Sequence, residues 1–173
     1  MEALETEDFH FVNELVNTEG WLKFIGDRNV HSDEDAKAYI LKTLENENIH
    51  YWVVKLKGDL TPIGIVSFVK RDFLPGRDLG FAFLPRYWGQ GYAFEAVKAA
   101  LEMFNSNYDD KTVLAISNKD NLPSIKLLEK FGFTHQKEMD NKGKLVQVYE
   151  LLLYQFPLYR DTDQIGKVFG SGF

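Results

Sequence analysis

Between Leu79 and Ala100 the chain reads LGFAFLP, then RYWGQGYA, then FEAVKAA. This is a β-forming run, a loop with two glycines one residue apart, and a helix-forming run. Arg86, Gly89 and Gly91 stand in the pattern R-x-x-G-x-G directly before the helix start. Glycine admits backbone angles closed to other residues, so such a loop turns tightly and brings main-chain N–H groups close to a ligand. The first helical turn adds N–H groups with no helix carbonyl to meet, and the positive end of the helix dipole. Strand, loop and helix in this order make a seat for phosphate or pyrophosphate. The bland alternative is a glycine turn that only joins strand to helix.

The fine pattern narrows the ligand. A dinucleotide loop wants a third glycine where Phe94 stands, after a first strand rather than mid-chain. A nucleoside-triphosphate loop wants Gly-Lys-Ser or Gly-Lys-Thr, which the sequence lacks. G-x-S-x-G is also absent, which argues against a hydrolase elbow.

Composition bounds the rest. A length of 173 residues suits one domain with a sizeable core. With no cysteine, disulfides, thiolate metal sites and a cysteine nucleophile are excluded. A net charge of −6 with no obvious basic face argues against nucleic acid as a partner. No apolar run approaches a membrane span and no leader-like segment opens the chain, so the expected location is the cytoplasm. His31, His50 and His135 are scattered without metal-ligand spacing, and no metal is expected.

Periodicity supplies the elements. Helical spacing runs over Thr6–Val16, a short aromatic helix over Trp21–Ile25, and a helix capped at Ser32 to about Asn46, with Ala36, Tyr39, Ile40 and Leu44 as its buried stripe. Strands follow at His50–Lys57, Ile63–Val69 and Asp78–Leu84, joined by short turns as an antiparallel meander. The helix after Gly91 extends to about Asn105. Lys111–Ile116 reads as a buried strand, Pro123–Phe131 as a helix, and Phe133–Met139 with Leu145–Leu153 as a closing hairpin. The order is that of an α/β (α+β) domain with a mixed, mostly antiparallel central sheet flanked by helices. The domain is read as residues 1–155. The tail 156–173 keeps apolar residues at Leu158, Ile165 and Phe169, and disorder or packing on the body or a neighbouring chain are both open.

A second motif, Asn121-Leu-Pro-Ser-Ile-Lys-Leu-Leu-Glu-Lys-Phe-Gly-Phe133, follows a strand and opens a helix. Read alone, Asn121 is also a good helix cap and Gly132 an ordinary helix end. Together the two motifs resemble the acetyl-CoA loop (Q/R-x-x-G-x-G/A) and the N-x-x-S-x-x-x-L-E-K-x-G-F signature of the GNAT N-acetyltransferase superfamily. Tyr87-Trp-Gly89 and Gly91-Tyr-Ala93 are close to its ribosomal-protein (RimJ/RimL-like) branch. The resemblance covers roughly residues 4–155, but the branch's longer first strand is short or missing here.

The resemblance implies the GNAT fold and direct transfer of acetyl from acetyl-CoA to a primary amine in a ternary complex. The acceptor would be a protein N-terminus, a polyamine or a small amine. A non-catalytic acyl-CoA sensor is the alternative, and a homodimer is plausible by analogy with relatives. For the cofactor, the backbone of Gly89, Gln90, Gly91, Tyr92 and Ala93 with Arg86 would hold the pyrophosphate. Main chain at Phe83 and Leu84, plus Asn121, would hold the pantetheine arm. Many members protonate the leaving thiolate with a Tyr at the position held here by Leu128. In the ribosomal-protein branch a Ser does so, which implicates Ser124. Asp78 lies where relatives often carry a Glu and is the candidate general base. Glu34 and Asp35, in the helix bordering the acceptor cleft, are read as helix capping first and attraction of a cationic amine second.

Overall fold

The computed structural model describes residues 1–141 and 143–155. Its scaffold is a seven-stranded sheet in the order β1-β2-β3-β4-β5-β7-β6. The strands are β1 (Glu2–Ala3), β2 (Ile49–Lys55), β3 (Pro62–Lys70), β4 (Arg77–Phe83), β5 (Thr112–Ser117), β6 (Thr134–Asn141) and β7 (Lys144–Leu152). Five helices accompany it: α1 (Phe9–Val16), α2 (Glu19–Phe24), α3 (Asp33–Leu44), α4 (Tyr92–Asn107) and α5 (Leu122–Lys130). All neighbouring strands are antiparallel except β4 and β5, which are parallel. The first strand is present but only two residues long, pairing Glu2 with Val53.

Alternation along the strands divides the core in two. Val53 and Ile65 face one side, where Leu15, Trp21, Ile40 and other residues of α1–α3 cover them. Trp52, Val54, Val66, Phe68 and Leu79 face the other, under Val97, Leu101 and Phe104 of α4 and Leu128 of α5. At the centre of this second layer Phe68 and Phe104 meet with ring centroids 4.4 Å apart, both fully buried.

Local chemistry explains the helix starts. Ser32 caps α3 by accepting from the Asp35 N–H at 3.1 Å, while Asp35 in turn accepts from the His31 N–H at 3.0 Å. One expected core position of α3 is corrected: Leu44 is 50% exposed, and Thr43 is buried instead. Eight residues after Ala36 a helix has turned about 80° past its starting line, whereas seven residues bring it back to within about 20°. Thr43 tolerates burial because its hydroxyl donates to the Tyr39 carbonyl at 2.8 Å.

Truncating Phe104 to Ala would empty the middle of the α4 layer, so unfolding free energy should fall by about 3–5 kcal/mol. Urea unfolding checks this, and an unchanged denaturant slope would show that the loss lies in packing.

Candidate active site

The sheet is nearly cut in two at β4 and β5. Their ladder holds a single bridge, Asp78 to Leu114, although both strands continue for several residues beyond it. Hydrogen-bond direction shows what the divergence exposes. The Leu84 N–H donates to the Ile63 carbonyl at 2.9 Å. By alternation, Gly80 and Ala82 also turn their main-chain groups to β3, whereas Leu79, Phe81 and Phe83 turn theirs towards β5. On the opposite wall the Leu153 N–H donates to the Lys111 carbonyl at 2.9 Å. Val113, Ala115 and Ser117 therefore face β7, and Ile116 faces β4.

Asp78 sits at the vertex of this gap. It is 2% exposed, and its carboxylate accepts from Arg71 Nε at 2.6 Å and from the Ile116 N–H at 3.1 Å. In a continued parallel ladder the Ile116 N–H would meet the Leu79 carbonyl. The Asp78 side chain takes that donor instead, at the point where the two strands part. Burial pushes the Asp78 carboxyl up to about 6, against the pull of Arg71 and of the Ile116 N–H.

The glycine loop lies past the C-terminal end of β4. Gly89 and Gly91 have φ of 72° and 89°, and no atom lies within 4 Å of where a Cβ would stand at either. Backbone conformation rather than crowding therefore calls for glycine here. Gly91 is the N-cap of α4, and the first bond of that helix runs from the Glu95 N–H to the Gly91 carbonyl at 3.1 Å. The N–H groups of Tyr92, Ala93 and Phe94 precede it and have no helix carbonyl to meet. Gln90 lies exposed between the glycines, its side-chain amide donating to the Arg86 carbonyl at 2.9 Å.

Each residue singled out in the sequence has a place in this arrangement. Phe83 lines the gap, but its carbonyl already accepts from Trp88 Nε1 at 2.7 Å, which leaves its N–H as the available group. Leu84 does not offer its main chain: its N–H is held by Ile63, its carbonyl accepts from the Tyr87 N–H at 2.9 Å, and its side chain is fully buried. The ladder thus turns the main chain of Leu84, expected to contact the pantetheine, towards β3. Arg86 is exposed and reaches back to Glu14 on α1, with its second nitrogen 3.2 Å from Glu14 Oε2; this pairing raises its pKa further. Asn121 caps α5, its Oδ1 accepting from the Ser124 N–H at 3.4 Å. Ser124 is half-buried in the first turn of that helix. Leu128 is a core residue at 1% exposure. Tyr87 and Tyr92 meet edge to face with centroids 6.1 Å apart and pack on the core, as local packing of the loop predicts. Among the described residues no group of His, Asp and Glu could hold a metal ion.

On the face of the sheet that carries α3, a groove of about 630 Å³ opens next to the vertex. Asp35, Tyr39 and Lys42 of α3, Arg28 before it, Tyr51 of β2 and Arg71 after β3 contribute to its walls. Of these only Asp35 stood out in the sequence. Arg71 had no local signal, since its meaning comes from Asp78, which reaches it across a turn.

A parallel strand pair parting at a glycine loop ahead of a helix is the arrangement expected of an acyl-CoA site, and the sequence comparison agrees. The family model described as "Acetyltransferase (GNAT) domain" matches residues 1–134. The chain belongs to the GNAT acetyltransferase family. It is 29% identical over 132 residues, 76% of each chain, to an uncharacterized N-acetyltransferase of Bacillus subtilis, YnaD. Among solved structures, spermidine N-acetyltransferase from Vibrio cholerae, in complex with CoA and spermine, superposes with a TM-score of 0.75 at 17% identity, covering 88% of this chain and 94% of that one. Ribosomal-protein-S5-alanine acetyltransferase from Vibrio fischeri gives 0.75 at 18% identity, covering 90% and 93%. At these identities the two structures speak for the fold. This GNAT protein is an N-acetyltransferase of a family that uses acetyl-CoA.

Replacing Gly91 by Ala meets no steric obstacle but forces a Cβ onto a left-handed backbone. A loss of about 1–2 kcal/mol is expected. Chemical unfolding of the ligand-free protein measures it, and no loss would mean the loop can relax to negative φ.

Proposed function

We propose that this GNAT enzyme binds acetyl-CoA along the gap between β4 and β5 and transfers the acetyl group directly to a primary amine. One observation carries this: the parallel strands share a single bridge and then part, leaving unpaired main-chain directions that end at the glycine loop. An extended pantetheine arm, which carries amide groups, can pair with that edge as an added strand would. Phe81 main chain and the Phe83 N–H supply one wall, and the Asn121 carboxamide would bond the arm from the start of α5. The diphosphate would take the N–H groups at Gly89–Ala93 with the help of the α4 dipole. Arg86 can join it by leaving Glu14, an exchange between two exposed partners that costs little.

The attacking amine must be neutral, and Asp78 is the proposed acceptor of its proton, directly or through water. A carboxyl at about 6 is ionised at neutral pH yet more basic than an ordinary carboxylate, which suits general-base work. Ser124 is proposed to donate the proton that the leaving thiolate needs, the role that a Tyr cannot fill where Leu128 is buried. Holding the amine in line with the thioester supplies much of the remaining acceleration.

Thermal unfolding with acetyl-CoA, CoA, ATP and NAD tests cofactor choice. Acetyl-CoA and CoA at about a hundredfold excess over Kd should each stabilise by about 2.7 kcal/mol, with no shift from the other two. Absence of a shift with either CoA species overturns the assignment of the gap.

For Asp78→Asn, thiol release from acetyl-CoA should fall by about 10²–10⁴ while CoA still protects against unfolding. In the wild type kcat/KM should drop below about pH 6, as Asp78 takes up its proton. The same shift has a stability sign. A carboxyl whose folded-state pKa is raised favours folding most when protonated, so raising the pH from about 4 through 6 should lower wild-type stability relative to Asp78→Asn. A flat difference between the two proteins across that window would overturn the assignment.

A further inference from the structure

The groove beside the vertex has a charge pattern that a polyamine does not match. It is adjacent to the reacting region by construction: Val69 and Arg71 line it, Val69 is the ladder partner of Asp78, and Arg71 is ion-paired with Asp78. The groove therefore lies beside the vertex. Its two carboxylates already have local work. Asp27 Oδ1 accepts from the Asn29 N–H at 2.7 Å in a turn, and Asp35 accepts from the His31 N–H in the α3 cap. The bond from His31, with Ser32 beside it, holds Asp35 below the usual carboxylate range. The cations differ. Arg71 is matched by Asp78, but Arg28 and Lys42 form no ion pair among the described residues. Lys42 complements the C-terminal end of α3, a structural use of its charge. Among the described residues Arg28 has no ion-pair partner.

Tyr51 also lines the groove. Burial keeps its phenol protonated far above neutral pH, and Tyr39 of α3 lines the same groove. The groove thus offers two tyrosines, two cations with no ion-pair partner among the described residues, and two carboxylates that already accept from main-chain N–H groups. A polyamine would bring several positive charges to Arg28, Lys42 and Arg71, against which the lining sets the two negative charges of Asp27 and Asp35. An amine that also carries an anionic group would set that group on Arg28 and Lys42, where charge-assisted hydrogen bonds are strong, with its ammonium end directed to the vertex.

We propose that the acceptor of this enzyme is a small primary amine bearing a carboxylate or phosphate-like group, recognised through Arg28 and Lys42, and that polyamines are poor acceptors. This rests on acyl transfer at the β4–β5 gap. The test compares thiol release from acetyl-CoA for γ-aminobutyrate, aminopropylphosphonate, butylamine and putrescine, which share similar chain lengths and differ in the far group. The anionic acceptors should exceed putrescine in kcat/KM by about tenfold or more, the scale of a hydrogen bond to a charged group. The carboxylate and phosphonate arms tell which anion is preferred. In Arg28→Gln and Lys42→Gln the preference should shrink mainly through KM, and acetyl-CoA protection against unfolding serves as the control for fold and cofactor site. Putrescine equal to or better than the anionic acceptors overturns the proposal, as does a preference that survives in the double variant. Failure of both anionic acceptors while acetyl-CoA still protects also overturns it, leaving the cofactor site standing. Loss of acetyl-CoA binding in the wild type would instead bring down the acyl-transfer assignment and this proposal with it.

Discussion

The structure turns on one buried carboxylate. Asp78 holds the Ile116 N–H at 3.1 Å and Arg71 Nε at 2.6 Å at the point where the β4–β5 ladder stops after one bridge. A parallel pair of neighbouring strands would otherwise go on zipping, since each further rung satisfies two main-chain groups. Giving the next donor a side-chain acceptor removes one reason to continue. Burying a carboxylate is costly, and its raised pKa records that cost. The return is an open edge in the middle of a sheet, which few folds contain because unpaired main-chain groups inside a protein are expensive.

Around that vertex each part has a separate physical task. The α4–α5 layer packs on residues of both half-sheets, Val66 and Phe68 on one side of the gap and Val113 and Leu151 on the other, while α1–α3 cover the opposite face of β2–β4. Trp88 links the glycine loop to the end of β4 through the Phe83 carbonyl, and its ring lies near Gly20 of α2, where an added Cβ would come within 3.2 Å of it. The loop is therefore fixed by an aromatic contact on the α2 side and by the helix it caps, while its glycines keep the left-handed angles.

Much of this was legible in the chain because the signals are local. Gly89 and Gly91 before a helix, Ser32 followed by acids, and alternation over residues 63–69 each depend on near neighbours, and the elements fell within a few residues of their expected places. What was not legible depended on contacts far apart in sequence. Asp78 could be singled out by position, but not its hold on Ile116, 38 residues on. Arg71 and Tyr51 carried no motif and gain meaning only once α3 lies over β2 and β3. The direction of the Leu84 main chain was hidden for a different reason: strand parity decides which main chain faces the gap, and a sequence does not show in which direction a strand begins. Thr43 replaced Leu44 in the core because helix phase overrode hydrophobicity. The tail after Gln155, for which disorder and packing were both open in the sequence, lies outside the described residues.

A sheet joined by one rung is, in the time domain, two sheets. The meander β1–β4 and the group β5–β7–β6 are each internally antiparallel over many rungs, whereas among the described residues one ladder bridge, Asp78–Leu114, and the Asp78 side-chain bond to Ile116 run between β4 and β5. Amide protons of the two groups need not exchange together: each half can open as its own cooperative unit, with the shared helices setting how tightly the openings are coupled. A molecule lying in the gap would complete the missing rungs from both sides. Its arrival would then be felt as a merging of two protection patterns into one, extending to strands that it never touches.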